Sequence, residues 1–263
     1  MRFATWNINS IRARQERLLA WLARSDVDVL AVQETKIPDD KFPVGPIREL
    51  GYDVAQHGFS QWNGVALISR IGIENVRQGF PGMPQFGEQH EARAIGATCG
   101  GIDFWSLYVP NGRALGDPHY DYKLEWLAAL AWFATAELTA DPAKQLVLCG
   151  DFNIAPTDED VWNMAAFEGD THVSPAERTA FANILGAGLV DVVRPYLPGP
   201  GVYTYWDYRQ LRFARREGMR IDFALASAAL AGQVTGATID REERKGKGAS
   251  DHAPVIVELA IPA

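Results

Sequence analysis

Short apolar runs of strand length recur along the whole chain, and they end repeatedly in an acid, an amide or an Asp-His pair. Phe3 to Trp6 leads into Asn7 and Asn9, Val29 to Val32 into Gln33 and Glu34, and Phe104 to Leu107 into Tyr108 and Asn111. Further on, Leu146 to Leu148 leads into Asp151 and Asn153, while Asp222 and the pair Asp251 and His252 flank the last runs. None of these runs approaches the ~20 residues that a membrane-spanning helix requires, so they are segments of a soluble globular core. Between them lie stretches with helical spacing, such as Arg14 to Arg24, where Leu18, Leu19 and Leu22 share one side.

The pattern predicts a mixed α/β protein. Strands are expected at Arg2 to Ile8, Val27 to Val32, Tyr52 to Gln56, Val65 to Ser69, Arg93 to Cys99, Phe104 to Val109 and Gln145 to Cys149, with a long helix from Tyr120 to Leu138. The second half repeats the style. Helical signals run from Glu159 to Met164 and from Pro175 to Leu185, the latter with Ser174 as N-cap and Pro175 in the first turn. Strands are then expected at Val190 to Val193, Ile221 to Ala226, Val234 to Ile239 and Pro254 to Leu259. With no repeat, low-complexity tract or long linker, residues 1–263 are read as one domain. Two halves of this kind suggest sheets packed on one another with helices outside, although a doubly wound sheet shares the pattern.

Composition narrows the function classes. The 25 basic and 33 acidic residues give a formal charge of −8, which argues against holding nucleic acid by bulk charge but leaves room for basic patches and metal-binding carboxylates. The N-terminus, MRFATWNINS, lacks the apolar centre of a signal peptide, and Cys99 and Cys149 match neither a disulfide framework nor a zinc spacing. A cytoplasmic protein without a membrane partner is the expectation.

Taken singly, a carboxylate or amide after a strand is an ordinary turn or cap residue. Together, several carboxylates beside amides and an imidazole are what metal-assisted phosphoryl chemistry requires. A phosphodiester is already anionic, so an attacking water is repelled until a cation and hydrogen-bond donors neutralise the non-bridging oxygens. Glu34 is a hard oxygen ligand suited to Mg²⁺ or Mn²⁺. Of the five histidines only His252 has an immediate acidic neighbour at a strand entrance. His57, His90, His119 and His172 are read as surface or loop residues, His119 at a helix start where capping is the ordinary role.

These residues carry a resemblance. The segments TWNINSIRAR, LAVQETK, YVPNGR, GDFNIAPTD, YTYWDYR, MRIDFALAS and SDHAPV, in that order over nearly the whole chain, resemble the exonuclease III family of apurinic/apyrimidinic (AP) endonucleases within the endonuclease/exonuclease/phosphatase superfamily. The resemblance implies a four-layer α/β sandwich, two packed mixed sheets flanked by helices. It implies that Glu34 ligates the catalytic metal, supported by Asn7, with Asp251 nearby, and that Asp151, Asn153 and His252 also border the ion. It implies Asp151 as the carboxylate that activates water, Asn153 as a transition-state support, His252 at the scissile phosphate oriented by Asp222, and Tyr108 at the phosphate. Asp151 and His252 are both candidates for the general base; Asp151 is preferred. Asn9 departs from the aspartate of some relatives, which leaves the number of metal sites open.

The implied substrate is duplex DNA with abasic sites or blocked 3′ ends, hydrolysed with Mg²⁺, Mn²⁺ also serving, by a monomer. The stretch from 209 to 220 holds five arginines against one glutamate and follows the aromatic segment Tyr203 to Tyr208. By the resemblance it enters the DNA groove, with Tyr205, Trp206, Arg209, Arg212, Met219 and Ile221 as contacts or pocket walls and Arg12, Lys36 and Asn111 on phosphates. The run Arg241 to Lys247 is read as a solvated loop. Two alternatives stand beside this reading: a phosphatase or sphingomyelinase of the same superfamily, and a catalytically silent DNA-binding module.

Overall fold

The computed structural model describes residues 1–261 and builds them into two six-stranded sheets packed face to face. In chain order the first half comprises β1 (Arg2–Asn7), α1 (Ile11–Ser25), β2 (Val29–Gln33), α2 (Val44–Glu49), β3 (Asp53–His57), β4 (Val65–Ser69), β5 (Glu74–Gln78), β6 (Ala94–Cys99) and β7 (Ile102–Tyr108). There follow α3 (Pro118–Ala140), β8 (Leu146–Asp151), α4 (Pro175–Gly186), β9 (Leu189–Asp191), α5 (Arg212–Arg215), β10 (Asp222–Ser227), α6 (Ala228–Ala231), β11 (Val234–Ile239) and β12 (Val255–Leu259). One sheet has the order β11-β12-β1-β2-β4-β3, the other β5-β6-β7-β8-β10-β9. Each holds one parallel pair, β1 with β2 and β7 with β8, joined through α1 and α3 respectively. The remaining ladders are antiparallel.

Side-chain alternation along the strands makes the layers. On β1 and β2, Phe3, Val29 and Ala31 face inward against Phe104, Val147 and Ala224 of the other sheet. Ala4, Trp6, Leu30 and Val32 face outward onto Leu18, Trp21 and Leu22 of α1. On the other outer face, Trp105, Leu107, Leu146 and Leu148 receive Trp126, Leu130 and Phe133 of α3 and Phe181 and Ile184 of α4. Both faces of the central strands are therefore dry, which is why they read as unbroken apolar runs. Among the described residues no helix is long and apolar enough to cross a membrane.

Expectation and structure differ where local pattern is weak. Glu159 to Met164 is not a helix but two 3₁₀ turns, Asp158–Asp160 and Met164–Ala166. Asp160 turns its carboxylate onto Thr157 and Arg220, and Val161 forms a bridge with Met219 instead of continuing the turn. The edge strand β5 is polar and mostly exposed, and α2 is six residues with a proline inside, so neither carries a usable period.

At the end of β8, Gly150 has φ +148°, and an added Cβ would lie 1.9 Å from the Leu107 carbonyl oxygen of β7. That approach brings Asp151 beside Tyr108 in the ladder. Gly150→Ala is expected to destabilise the fold by about 3 kcal/mol, measured by urea denaturation.

Candidate active site

The register brings the strand ends together. Asn7 pairs with Gln33, placing the β2 exit and Glu34 beside it; Asp151 pairs with Tyr108 on one side and Asp222 on the other. Because β12 runs antiparallel to β1, its entrance delivers Asp251 and His252 to the end where Asn7 sits. The C-terminal ends of both parallel pairs thus converge, the usual place for a site in a sheet with parallel strands.

The turns leaving these strands are tightly held. Asn9, Ser10, Glu34, Lys36 and Asn153 all have positive φ. For Glu34 and Lys36 that conformation costs about 1–2 kcal/mol each. It is clamped by backbone hydrogen bonds from Ser10 to Glu34 (2.7 Å), Ile11 to Thr35 (3.0 Å), Thr35 to Gly64 (3.1 Å) and Lys36 to Asn63 (2.8 Å). Behind the turn, Gln33 donates to Ser106 Oγ at 2.9 Å, and Ser106 Oγ donates to the Val32 carbonyl, tying the two sheets directly under the site.

Asn7, fully buried, donates its amide to Glu34 Oε1 at 2.7 Å and to Asp151 Oδ2 at 2.9 Å. His252 Nδ1 lies 2.8 Å from Asp222 Oδ2, and its Nε2 lies 3.7 Å from Asp151 Oδ2. Burial works to lower the His252 imidazole, but Asp222 and Asp151 outweigh it and hold its pKa raised to about 10. Asp151 is pushed up to about 7 by burial, with Asp222 and Glu34 adding to the shift against His252. Burial would raise Glu34, yet Lys36, whose Nζ lies 2.6 Å from Glu34 Oε2, and Asn7 keep it below its ordinary value. Tyr108, its phenol raised by burial and by Glu34, lies under the Arg93 guanidinium, 4.9 Å from the ring centroid.

Among the described residues, one group of acids and imidazoles has the spacing of a metal site: Glu34, Asp151 and His252, with ligand atoms within 4.8 Å of one another. Two carboxylates are a hard-oxygen set that fits Mg²⁺ or Mn²⁺. The other residues expected around the ion are tied into the same cluster and its flanking loops by hydrogen bonds. Asn7 turns its amide N–H groups to the carboxylates while its oxygen accepts from Asn9 N. Asp251 Oδ1 accepts from Asn9 Nδ2 at 2.9 Å. Asn153 donates to the Val109 carbonyl, and its oxygen lies 3.1 Å from Asn111 Nδ2.

Beside the carboxylates opens a cleft of about 700 Å³, lined by Asn111, Trp162, Phe167, His172, Tyr205 and Met219, with Arg209 and Arg212 on its rim. The Tyr205 ring packs 4.9 Å from His252, joining cleft to site. Several expected contacts lie elsewhere. Trp206 is 2% exposed and packs with Tyr203 and Ala253, so it cannot touch DNA. Ile221 is buried with Ala155, Val161 and Val173 behind the wall. Arg12 stands on the first turn of α1, and Lys36 lies at the site itself, its ammonium on Glu34 and Asn9. Arg220 is an internal bridge to Asp160 and Asp191, both at 2.6 Å. Arg244, expected in a solvated loop, is buried against Tyr208 and Phe213 and donates to the Trp206 carbonyl.

The histidines also need correction. His57 and His119 are buried, and the His119 ring accepts from Gly112 N. His172 does lie in a loop, but its Nε2 is 3.2 Å from Asn153 Oδ1 and 3.1 Å from Asn111 Nδ2. Burial and Lys123 hold its pKa down to about 3, so it stands neutral at the edge of the site. No local signal marked it; its neighbours come from two loops 19 and 61 residues away in sequence.

The profile of the Endonuclease/Exonuclease/phosphatase family matches residues 4–252. An exodeoxyribonuclease of Bacillus subtilis is 32% identical over 273 residues, covering 99% of either chain. Among solved structures, NExo of Neisseria, described as a 3′ phosphatase bound to a product DNA hairpin and as a 3′–5′ exonuclease, is 38% identical with a TM-score of 0.93, covering 98% of this chain and 99% of that one. An AP endonuclease of Archaeoglobus fulgidus is 34% identical with a TM-score of 0.93, covering 99% of this chain and 100% of that one.

Proposed function

The chain belongs to the Endonuclease/Exonuclease/phosphatase family, and from that premise we propose how its site hydrolyses DNA. It is a DNA-repair nuclease, akin to exonuclease III and the AP endonucleases, and its chemistry is metal-dependent. The reading rests on one observation: His252 is held between Asp222 and Asp151, while Asn7 bridges Asp151 to Glu34.

In this proposal Asp151, which accepts from Asn7 and lies 3.7 Å from His252 Nε2, takes the proton of the attacking water. His252, kept protonated by its carboxylate neighbours, donates from Nε2 to a non-bridging phosphate oxygen, and Asp222 fixes the ring. A protonated imidazole is a poor ligand, so Glu34 and Asp151 would hold the ion, and Asn7 bridges the two carboxylates. The cation, Mg²⁺ or Mn²⁺, supplies charge neutralisation at the phosphate when bound. Tyr108, Asn111 and Asn153 border the phosphate position, with Arg209 and Arg212 toward the DNA backbone. The bond formed is from the water oxygen to phosphorus and the bond broken is P–O3′, the departing 3′ oxygen taking a proton from solvent to become a 3′ hydroxyl. The P–O3′ bond is common to incision 5′ of an abasic site, 3′-phosphate removal and 3′-to-5′ exonuclease action. Residues 1–263 act as one domain and as a monomer.

Because the bond is shared, the cleft decides the substrate. Tyr205, Met219, Trp162 and Phe167 offer apolar walls to an extruded abasic sugar. A second reading, 3′-end processing without internal incision, is favoured by His172, which takes up room in that cleft beside Asn153, and by the 38% identity to NExo. The test offers a duplex with an internal tetrahydrofuran abasic analogue and a nicked duplex with a 3′-phosphate, each with Mg²⁺, Mn²⁺ or EDTA. Metal-dependent cleavage of both is expected. An intact tetrahydrofuran duplex beside full dephosphorylation would assign the second reading, and hydrolysis of neither would refute the function.

A further inference from the structure

Lys123 on α3 and Glu177 on α4 form an ion pair in which both side chains have zero exposure. Burying two charges gains little net stability over an apolar pair of the same volume, so a pair this deep needs another account. An ammonium has three protons. Those of Lys123 point to Glu177 Oε1, to the Asn153 carbonyl at 2.7 Å and to the Asn111 carbonyl at 3.1 Å. Glu177 in turn accepts from His172 N at 2.9 Å and Thr171 Oγ1 at 2.6 Å through Oε1, and from Ser174 N at 3.1 Å through Oε2. The pair therefore fastens three segments that have no regular structure to hold them: the exit of β7 with Asn111, the exit of β8 with Asn153, and the turn before α4 with His172. Their side chains then meet one another at the edge of the site, at 3.1–3.2 Å.

We propose that Lys123 and Glu177 are positioning residues for the hydrolytic site, setting where Asn111, Asn153 and His172 stand relative to the bound phosphate. Neither touches substrate, and the inference rests on the hydrolytic reading above. The double variant Lys123→Met/Glu177→Gln removes both charges without leaving either unpaired. It is expected to fold, to lose kcat on the 3′-phosphate duplex by about 10- to 100-fold, and to keep KM within about threefold. Amide hydrogen exchange at residues 111–113, 153–155 and 171–174 should rise selectively. Asp28→Asn, at the Arg70 pair beside the start of β1, is the control: it should weaken the fold without changing kcat. Should the double variant fail to fold, Thr171→Val, which removes the hydroxyl held by Glu177, must still lower kcat several-fold. Wild-type kcat in either folded variant overturns the proposal. If the wild type hydrolyses neither DNA, the function fails, and unchanged exchange in those segments would separately reject the positioning role.

Discussion

Asp151→Asn is expected to lower turnover by about 10²- to 10⁴-fold and to flatten the fall in stability of the metal-free protein between about pH 5 and pH 8. The Asp151 carboxyl is pushed up to about 7 by burial and by Asp222 and Glu34. Its native form thus holds a proton over a range in which the unfolded chain has released it, so stability falls as pH rises from the ordinary carboxylate value through about 7. The neutral amide removes that pH dependence and keeps an oxygen for Asn7, while giving up the counter-charge to His252 and the second acceptor, which takes Asn153 N. His252→Ala should be equally inactive and less stable. A raised imidazole contributes stability below its unfolded pKa and loses it only as pH rises through about 10, so removing it weakens the fold at neutrality. Thermal melts in EDTA between about pH 5 and pH 8, with kcat measured in Mg²⁺, check both. Near-normal turnover in the two variants would remove this cluster from the chemistry.

Chelation is the second large effect. Losing the cation forfeits several kcal/mol of transition-state stabilisation, about 10³-fold or more in rate, and added Mg²⁺ or Mn²⁺ should restore it. Without the cation, Lys36 Nζ at 2.6 Å from Glu34 Oε2 is the nearest counter-charge, and Asn9 Oδ1 holds the same ammonium at 2.7 Å. Mg²⁺ at a hundred times its Kd should raise wild-type stability by about 2.7 kcal/mol. Glu34→Gln should abolish both that gain and the activity, since Asp151 alone is left to compete with water for the ion. Full activity after exhaustive chelation, or an unchanged Mg²⁺ response in Glu34→Gln, would displace the metal from this site.

Much of this site is legible as residue types at strand ends. Asn7, Glu34, Tyr108, Asp151, Asp222 and His252 each terminate or border an apolar run, and a strand end is a local property. The contacts of loop residues are not local. Arg209, Arg212 and Arg220 look alike in sequence, yet Arg209 is exposed on the cleft, Arg212 stacks on Trp162 and Arg220 is internal. Trp206 sits in an aromatic run beside Tyr205, but alternation along the segment sends one ring to the cleft and the other into a small core.

The sequence by itself determined the chemistry and its order along the chain: strands ending in carboxylates and amides, a hard-oxygen metal set, an Asp-His pair, and an arginine-rich stretch ahead of Asp222. The tertiary structure decided which of these meet. Asn7 and Asp151, 144 residues apart, touch only because two parallel pairs in opposed sheets end on the same side. It also brought in His172, Lys123 and Glu177, whose own segments carry no mark of function. A buried polar group must find its partner wherever the fold supplies one, and that partner's position follows from packing between layers rather than from any period in the chain.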